Sequence, residues 1–230
     1  MDRGISLVEL RMRGDYLTEQ IMLGLKTRSR FPLNLSTFSE IFYNKRTWFM
    51  YRLKKVQDLD AQFGRFLYNQ QKPFLFKASE LDKPLIKPPI INEGFVGFDL
   101  NKEEEIIELY KKMLYEICVN DDNRSTYGET TKIDVENVLN LNERLVGFGQ
   151  QVAWTKINLN PVLKKETDVG KIKELIVSKE REAEVLKNVV NSAQKNNLSN
   201  IESIKDYVKT LIEFTTEIEV ETILKLQKQI

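Results

Sequence analysis

Apolar residues recur at helical spacing along most of this chain. Over residues 5–28, Leu7, Leu10, Leu17, Ile21 and Leu25 fall near one helix face. Residues 35–70 give a second long helical stretch through Trp48, Leu53, Val56, Phe63, Phe66 and Leu67. In "NKEEEIIELYKKMLYEICV", Asn101 followed by Glu104 reads as an N-cap with an acidic first turn. A loop is expected around Gly128, then a helix from about Ile133 to Ile157, before Pro161 breaks the chain. Asp168 opens a helix that carries "ELIVSKEREAEVLKNVV", and Ser199-Asn-Ile-Glu202 has the capping-box pattern for a last helix. No stretch alternates convincingly with period two. Four of the six prolines lie between Pro73 and Pro89, so this segment cannot be helical throughout. It forms a connection of about 25 residues, too long for a simple turn. The expectation is an all-α protein, a single domain over residues 1–230 built of long packed helices.

The last helix raises a chemical question. "EFTTEIEVETILKL" places Glu213, Glu217 and Glu221 four apart, in one row suited to solvent, while Glu219 stands out of that row. Glu219 follows Thr215 by four residues, which sets a hydroxyl and a carboxyl side by side on another face. Basic residues also occupy apolar faces. Arg11 lies four after Leu7, Arg144 three after Leu141 and Lys156 four after Val152. Each taken singly is ordinarily a solvated residue at the edge of a stripe. Three together suggest a pocket for a small anion, because a buried cation needs a counter-charge. Glu182 is open to two readings, a surface partner of Arg181 or a nearby lysine, or a member of such a pocket. Periodicity alone stops at a helical protein with a candidate anion pocket.

Composition narrows the chemistry. There is no histidine and one cysteine, Cys118, so Ser-His-Asp and Cys-His catalysis are excluded and a zinc site is improbable. Thirty-five basic against 34 acidic residues give a net charge of +1, with no global field for nucleic acid or an anionic membrane. No run approaches the roughly 18 apolar residues of a membrane span. "MDRGISLVELRMRGDYL" lacks the apolar core of a signal peptide, and a lone cysteine fits a reducing, cytoplasmic setting.

Several segments, in order, resemble the eukaryotic-type, all-helical chorismate mutases of fungi and plants. "LVELRMRGDYLTEQIMLGLKTRSRFP" is similar to that family's first helix with its Arg-Ser-x-Phe-Pro ending, and puts the substrate-binding arginine at Arg11. "WFMYRLKKVQDLDAQFGRFLYNQQKPF" resembles the helix and proline-bearing turn that follow. "YGETTKIDVENVLNLNERL" leads to a second arginine at Arg144, and "QVAWTK" resembles the Val-Ala-x-x-Lys that supplies the catalytic lysine, here Lys156. "DVGKIKELIVSKEREAEVL" puts the hydroxyl-binding glutamate at Glu182, and "FTTEIEVETIL" resembles the Thr-x-x-x-Glu pattern at Thr215 and Glu219. The resemblance implies rearrangement of chorismate to prephenate with no cofactor or metal, in a homodimer. It implies that Arg11, Arg144, Lys156, Glu182 and Glu219 are catalytic. Ser178 and Thr215 would join Arg11, Arg144, Lys156 and Glu182 in binding substrate.

Three departures stand out. Arg144 and Lys156 are twelve apart where the family has eleven. The extra residue falls in "LVGFGQQ", where Gly147 and Gly149 allow a π-bulge; a regular helix would instead rotate Arg144 by about 100° relative to Lys156. Ser178 replaces an asparagine of some members. At the family's effector site Gly128 is kept, Glu129 replaces a serine, and Gly64–Arg65 stand where two tandem arginines are usual. The remnant Arg65, Gly128 and Glu129 implies weak or no regulation by aromatic amino acids, since an added carboxylate repels theirs. The alternatives are a catalytically silent binding protein or effector on the same fold, and an unrelated helical interaction module.

Overall fold

The computed structural model describes residues 6–67, 71–86, 97–196, 198 and 200–229. In chain order the main elements are α1 (Leu7–Arg28), α2 (Ser36–Ser39), strands β1 (Ile41–Tyr43) and β2 (Arg46–Thr47), α3 (Trp48–Gln62), α4 (Glu103–Ile117) and α5 (Tyr127–Asn142). A π-helical turn, Glu143–Gly147, joins α5 to α6 (Phe148–Leu159). Then come α7 (Val169–Ile176), α8 (Lys179–Lys195) and α9 (Ile201–Gln227). The all-α expectation holds, with one small antiparallel hairpin as the exception among the described residues.

Contacts group the chain into two compact units. One takes the described residues within 23–92 and 101–142. Its helices pack through Phe49, Leu53, Ile106, Tyr110, Met113, Leu114, Val135 and Val138, all essentially out of water. At its centre Arg28 and Asp134 are both fully buried. Arg28 Nε donates to Asp134 Oδ1 at 2.6 Å, and its other nitrogens donate to the carbonyls of Pro32 and Leu33 at 2.7 Å. The Tyr110 hydroxyl donates to the same Asp134 oxygen at 2.7 Å. Gln57 fastens the proline-bearing connection by acting as a second backbone. It donates to Phe74 O at 2.9 Å and accepts from Phe74 N at 2.6 Å. Pro88 and Pro89 lie outside the described residues.

The other unit takes the described residues within 1–22, 93–100 and 143–230. Ser6 and Glu9 cap the start of α1 reciprocally, at 2.8 and 3.2 Å. Leu10, Leu17, Phe148 and Val152 form one apolar cluster. Ala153, Ile157, Leu163, Ile172, Ile176, Val220 and Ile223 form another. Gly149 allows α6 to approach α9 closely, because a Cβ there would lie 2.9 Å from Ile218 Cγ2.

Several sequence expectations need correction. The single helix expected over 35–70 is α2, a hairpin and α3. Asn44 and Lys45 take positive φ (49° and 60°), the signature of a two-residue type I′ turn. Thr47 then caps α3 by accepting from Met50 N. Phe42, Tyr43, Trp48 and Tyr51 pack ring to ring, so tertiary stacking holds this short hairpin. Gly128 is not in a loop. Asn123 caps a 3-10 turn, Arg124–Thr126, that runs straight into α5, so the helix starts before Ile133. Asn101 is not the cap of α4; its φ of 49° sets it one residue outside, and Lys102 is the cap. The helix opened by Asp168 ends at Ile176. Ser178 then turns the chain and caps α8 by accepting from Arg181 N. Ser199 of the expected capping box lies outside the described residues; Asn200, with φ 57°, precedes α9.

Arg28→Ala would leave the Asp134 carboxyl buried without its cation and the carbonyls of Pro32 and Leu33 without their donor. It is expected to cost about 3–5 kcal/mol of stability, read from urea unfolding. A loss below about 1 kcal/mol, the worth of a surface pair, would contradict the assignment.

Candidate active site

Seven sequence-selected residues line one cleft of about 130 Å3: Arg11, Arg144, Lys156, Ser178, Glu182, Thr215 and Glu219. Helix α1 supplies Arg11 and the π-helical turn supplies Arg144. Lys156 comes from α6, and Thr215 and Glu219 come from adjacent turns of α9. Ser178 and Glu182 stand at the start of α8. Leu7, Leu10, Val152 and Ile176 give the cleft apolar walls.

Arg144 is 7% exposed and makes no ion pair among the described residues. Its Nε donates to Thr18 Oγ1 and its Nη1 to Thr215 Oγ1, both at 3.1 Å. Each hydroxyl gives its own proton to a carbonyl one turn back, Gly14 O at 2.8 Å and Leu211 O at 2.7 Å, and so faces Arg144 as an acceptor. The Phe148 ring lies 4.6 Å from the guanidinium carbon. Gly14 makes room for that ring, since a Cβ would sit 2.7 Å from its tip. Burial pushes the Arg144 pKa down to about 10, against the favourable charges of Glu219 and Asp15. It remains a cation at neutral pH.

Lys156 donates to Glu219 Oε2 at 2.6 Å and to Ile176 O at 2.8 Å. Burial raises the Glu219 carboxyl above its ordinary range, and the nearby Lys156 and Arg144 charges oppose that rise. Arg11 is exposed at the cleft mouth and Glu182 is half-buried. Neither has an ion-pair partner among the described residues. The surface reading of Glu182 with Arg181 is therefore set aside. Arg181 pairs instead with Asp15 across the cleft and with Glu184 at 2.7 Å.

The extra residue between Arg144 and Lys156 is taken up by the π-helical turn, as the glycines of "LVGFGQQ" allow. Sequence reasoning missed three lining or supporting residues: Asp15, Thr18 and Arg181. Asp15 and Thr18 sit four and seven residues after Arg11, so the helical period already marked them as its neighbours. No local signal links Arg181 to Asp15. Of the remnant effector residues, Gly128 and Glu129 are exposed in the first turn of α5, and Arg65 pairs with Asp60 at 3.1 Å. None of the three lines the cleft.

The cleft holds four basic side chains (Arg11, Arg144, Lys156, Arg181) against three acidic ones (Asp15, Glu182, Glu219). The raised Glu219 carboxyl adds to the positive balance whenever it is protonated. Such a site suits a small ligand with more than one carboxylate.

This is the fold of the all-helical chorismate mutases. Similar solved structures are a chorismate mutase from Candida albicans in complex with L-Trp, the chloroplast chorismate mutase from Zea mays, and an Arabidopsis chorismate mutase with phenylalanine in its allosteric site. The Candida structure has TM-score 0.82 at 20% identity, over 96% of this chain and 91% of that one. The maize structure has TM-score 0.80 at 19% identity, over 98% and 97%. The Arabidopsis structure has TM-score 0.80 at 20% identity, over 96% of both. No protein-family model matches the chain, and no curated protein matches it in sequence.

Lys156→Met should raise the Glu219 pKa further, because the nearest opposing charge is removed while burial stays. A carbon-detected titration of the side-chain carboxyl reads this, and an unchanged or lowered midpoint would contradict the electrostatic assignment.

Proposed function

We propose that this chain is a chorismate mutase, an isomerase that converts chorismate to prephenate for phenylalanine and tyrosine synthesis. In this intramolecular Claisen rearrangement an ether C–O bond breaks as a C–C bond forms, with no covalent intermediate and no obligatory proton transfer. It gains from holding the substrate folded and from stabilising negative charge on the departing ether oxygen. No histidine, metal or cofactor is required.

One observation carries the reading. Arg144 is buried, charged and held by neutral hydroxyls, in the same cleft as Arg11, Lys156 and Glu219. A substrate carboxylate would give Arg144 the direct ion pair it lacks among the described residues, and Arg11 at the mouth would take the second. Lys156 would donate to the ether oxygen. Glu182 would accept from the ring hydroxyl, with Ser178 and Thr215 lining the bound substrate. Glu219 would give the ether oxygen its second hydrogen bond when protonated. Its burial favours that form, and an arriving dianion would favour it further by opposing ionisation.

A π turn that accommodates the extra residue after Arg144 supports this reading over that of a catalytically silent binding protein. A reducing compartment such as the cytoplasm and a homodimeric state belong to the same proposal. Among the described residues no helix is long and apolar enough to cross a membrane.

Chorismate loss followed by ultraviolet absorbance tests the reading. Arg144→Ala or Lys156→Ala should lower turnover by about 100-fold or more. Turnover of the native chain should fall as pH rises through the raised Glu219 pKa, because the donor proton is lost. Glu219→Gln should remove that fall, since an amide donates at any pH. Folded protein without turnover at any pH from about 5 to 8.5 would reject the proposal. Added tryptophan, tyrosine or phenylalanine should change the rate by less than about fivefold, the low end of allosteric coupling, because Glu129 offers a carboxylate where a ligand carboxylate would dock.

A further inference from the structure

Resting on the chorismate mutase reading, we propose that Arg13 is a positioning residue. By bridging Glu143 and Gln151 it holds the π-helical turn in the register that aims Arg144 into the cleft. Arg13 Nη2 pairs with Glu143 Oε1, the first residue of the turn. Arg13 Nη1 donates to Gln151 Oε1 at 2.6 Å, in the first turn of α6. One guanidinium on α1 therefore grips the helix on both sides of its irregular turn.

Helical arithmetic makes this bridge specific to the π register. Glu143 and Gln151 are eight residues apart. At about 100° per residue a regular helix would place them about 80° apart around the axis. A π turn that absorbs one residue leaves seven effective steps and brings them within about 20° of a common line. The same absorbed residue brings Arg144 and Lys156, twelve apart, from about 120° to about 20°. The bridge and the Arg144–Lys156 alignment are thus satisfied by one register and lost together in the other.

Gly147 completes the device. A Cβ at this position would lie 2.9 Å from Glu143 Oε2, so the Glu143 carboxylate rests over the glycine. The side chains of Arg13 and Glu143 are 38% and 30% exposed, and such a pair contributes little to overall stability. Arg13 does not line the cleft. Its influence on turnover therefore runs through the direction of Arg144.

The test uses the full chain with Arg13→Ala, with and without deletion of Gly147. The deletion removes the extra residue, so a regular helix would align Arg144 with Lys156 without help. Arg13→Ala is expected to lower kcat/KM for chorismate at least about tenfold in the native-length helix, with helical content and Tm nearly unchanged. In the shortened helix the same substitution should cost less than about twofold, a coupling that a general structural role for Arg13 would not produce. Equal losses in both backgrounds, or no loss in the native one, would overturn the proposal. A second measurement needs neither turnover nor the deletion. The Arg144 Nε–H resonance, assigned by its absence in Arg144→Lys, should be slow to exchange in the native chain and should shift and exchange faster in Arg13→Ala. An unchanged resonance would overturn the proposal. If native protein lacks turnover, the functional reading fails, and this resonance alone decides whether Arg13 sets the Arg144 register.

Discussion

A guanidinium held out of water, with no carboxylate in direct contact among the described residues, is the constraint on which the cleft depends. Arg144 keeps its charge through two hydroxyl acceptors, one aromatic face and the nearby charges of Glu219 and Asp15, which offset only part of the cost of burial. Each support imposes a demand elsewhere. Phe148 needs Gly14 opposite it, Thr215 needs α9 close to α6, and that approach needs Gly149. The direction of Arg144 also needs a helix that gains a residue without losing its register.

The chain contains a second buried arginine, which makes the first easier to interpret. Arg28 is fully enclosed, but it has Asp134 and two backbone carbonyls around it, so its hydrogen-bonding capacity is taken up inside the fold. It is a structural cation. Arg144 is also buried, at the wall of the cleft, and lacks such a partner among the described residues. Such an arrangement is preorganised, since the fold sets the direction of the guanidinium without any ligand. Lys156 and Glu219 extend that site. Their contact and the burial of Glu219 make the carboxyl's proton sensitive to any anion that enters.

Much of this was legible along the chain. Helical period marked α1 and the stretch of α5 and α6, and the basic residues on their apolar faces, Arg11, Arg144 and Lys156, meet in the cleft with Glu219. The step of twelve from Arg144 to Lys156, with Gly147 and Gly149 inside it, left room for a π turn. The illegible parts were those without a local signature. Trp48, Phe49 and Tyr51 look like the start of any helix, and ring stacking decides that a hairpin precedes them. Ser178 looked like a mid-helix residue until the chain turned at Val177 and used its hydroxyl as a cap.

The sequence by itself therefore determined the all-helical class, the absence of histidine chemistry and the residues available to bind an anion. Those follow from composition and from a 3.6-residue period, which are local properties. Only the tertiary structure decided which charges find partners. Asp134 neutralises Arg28 from 106 residues away, Arg181 reaches Asp15 across 166, and Arg144 is left with hydroxyls. Whether a cation serves the fold or awaits a ligand depends on what the packing brings beside it, because desolvation and Coulomb energy are set by neighbours in space and not by neighbours in sequence.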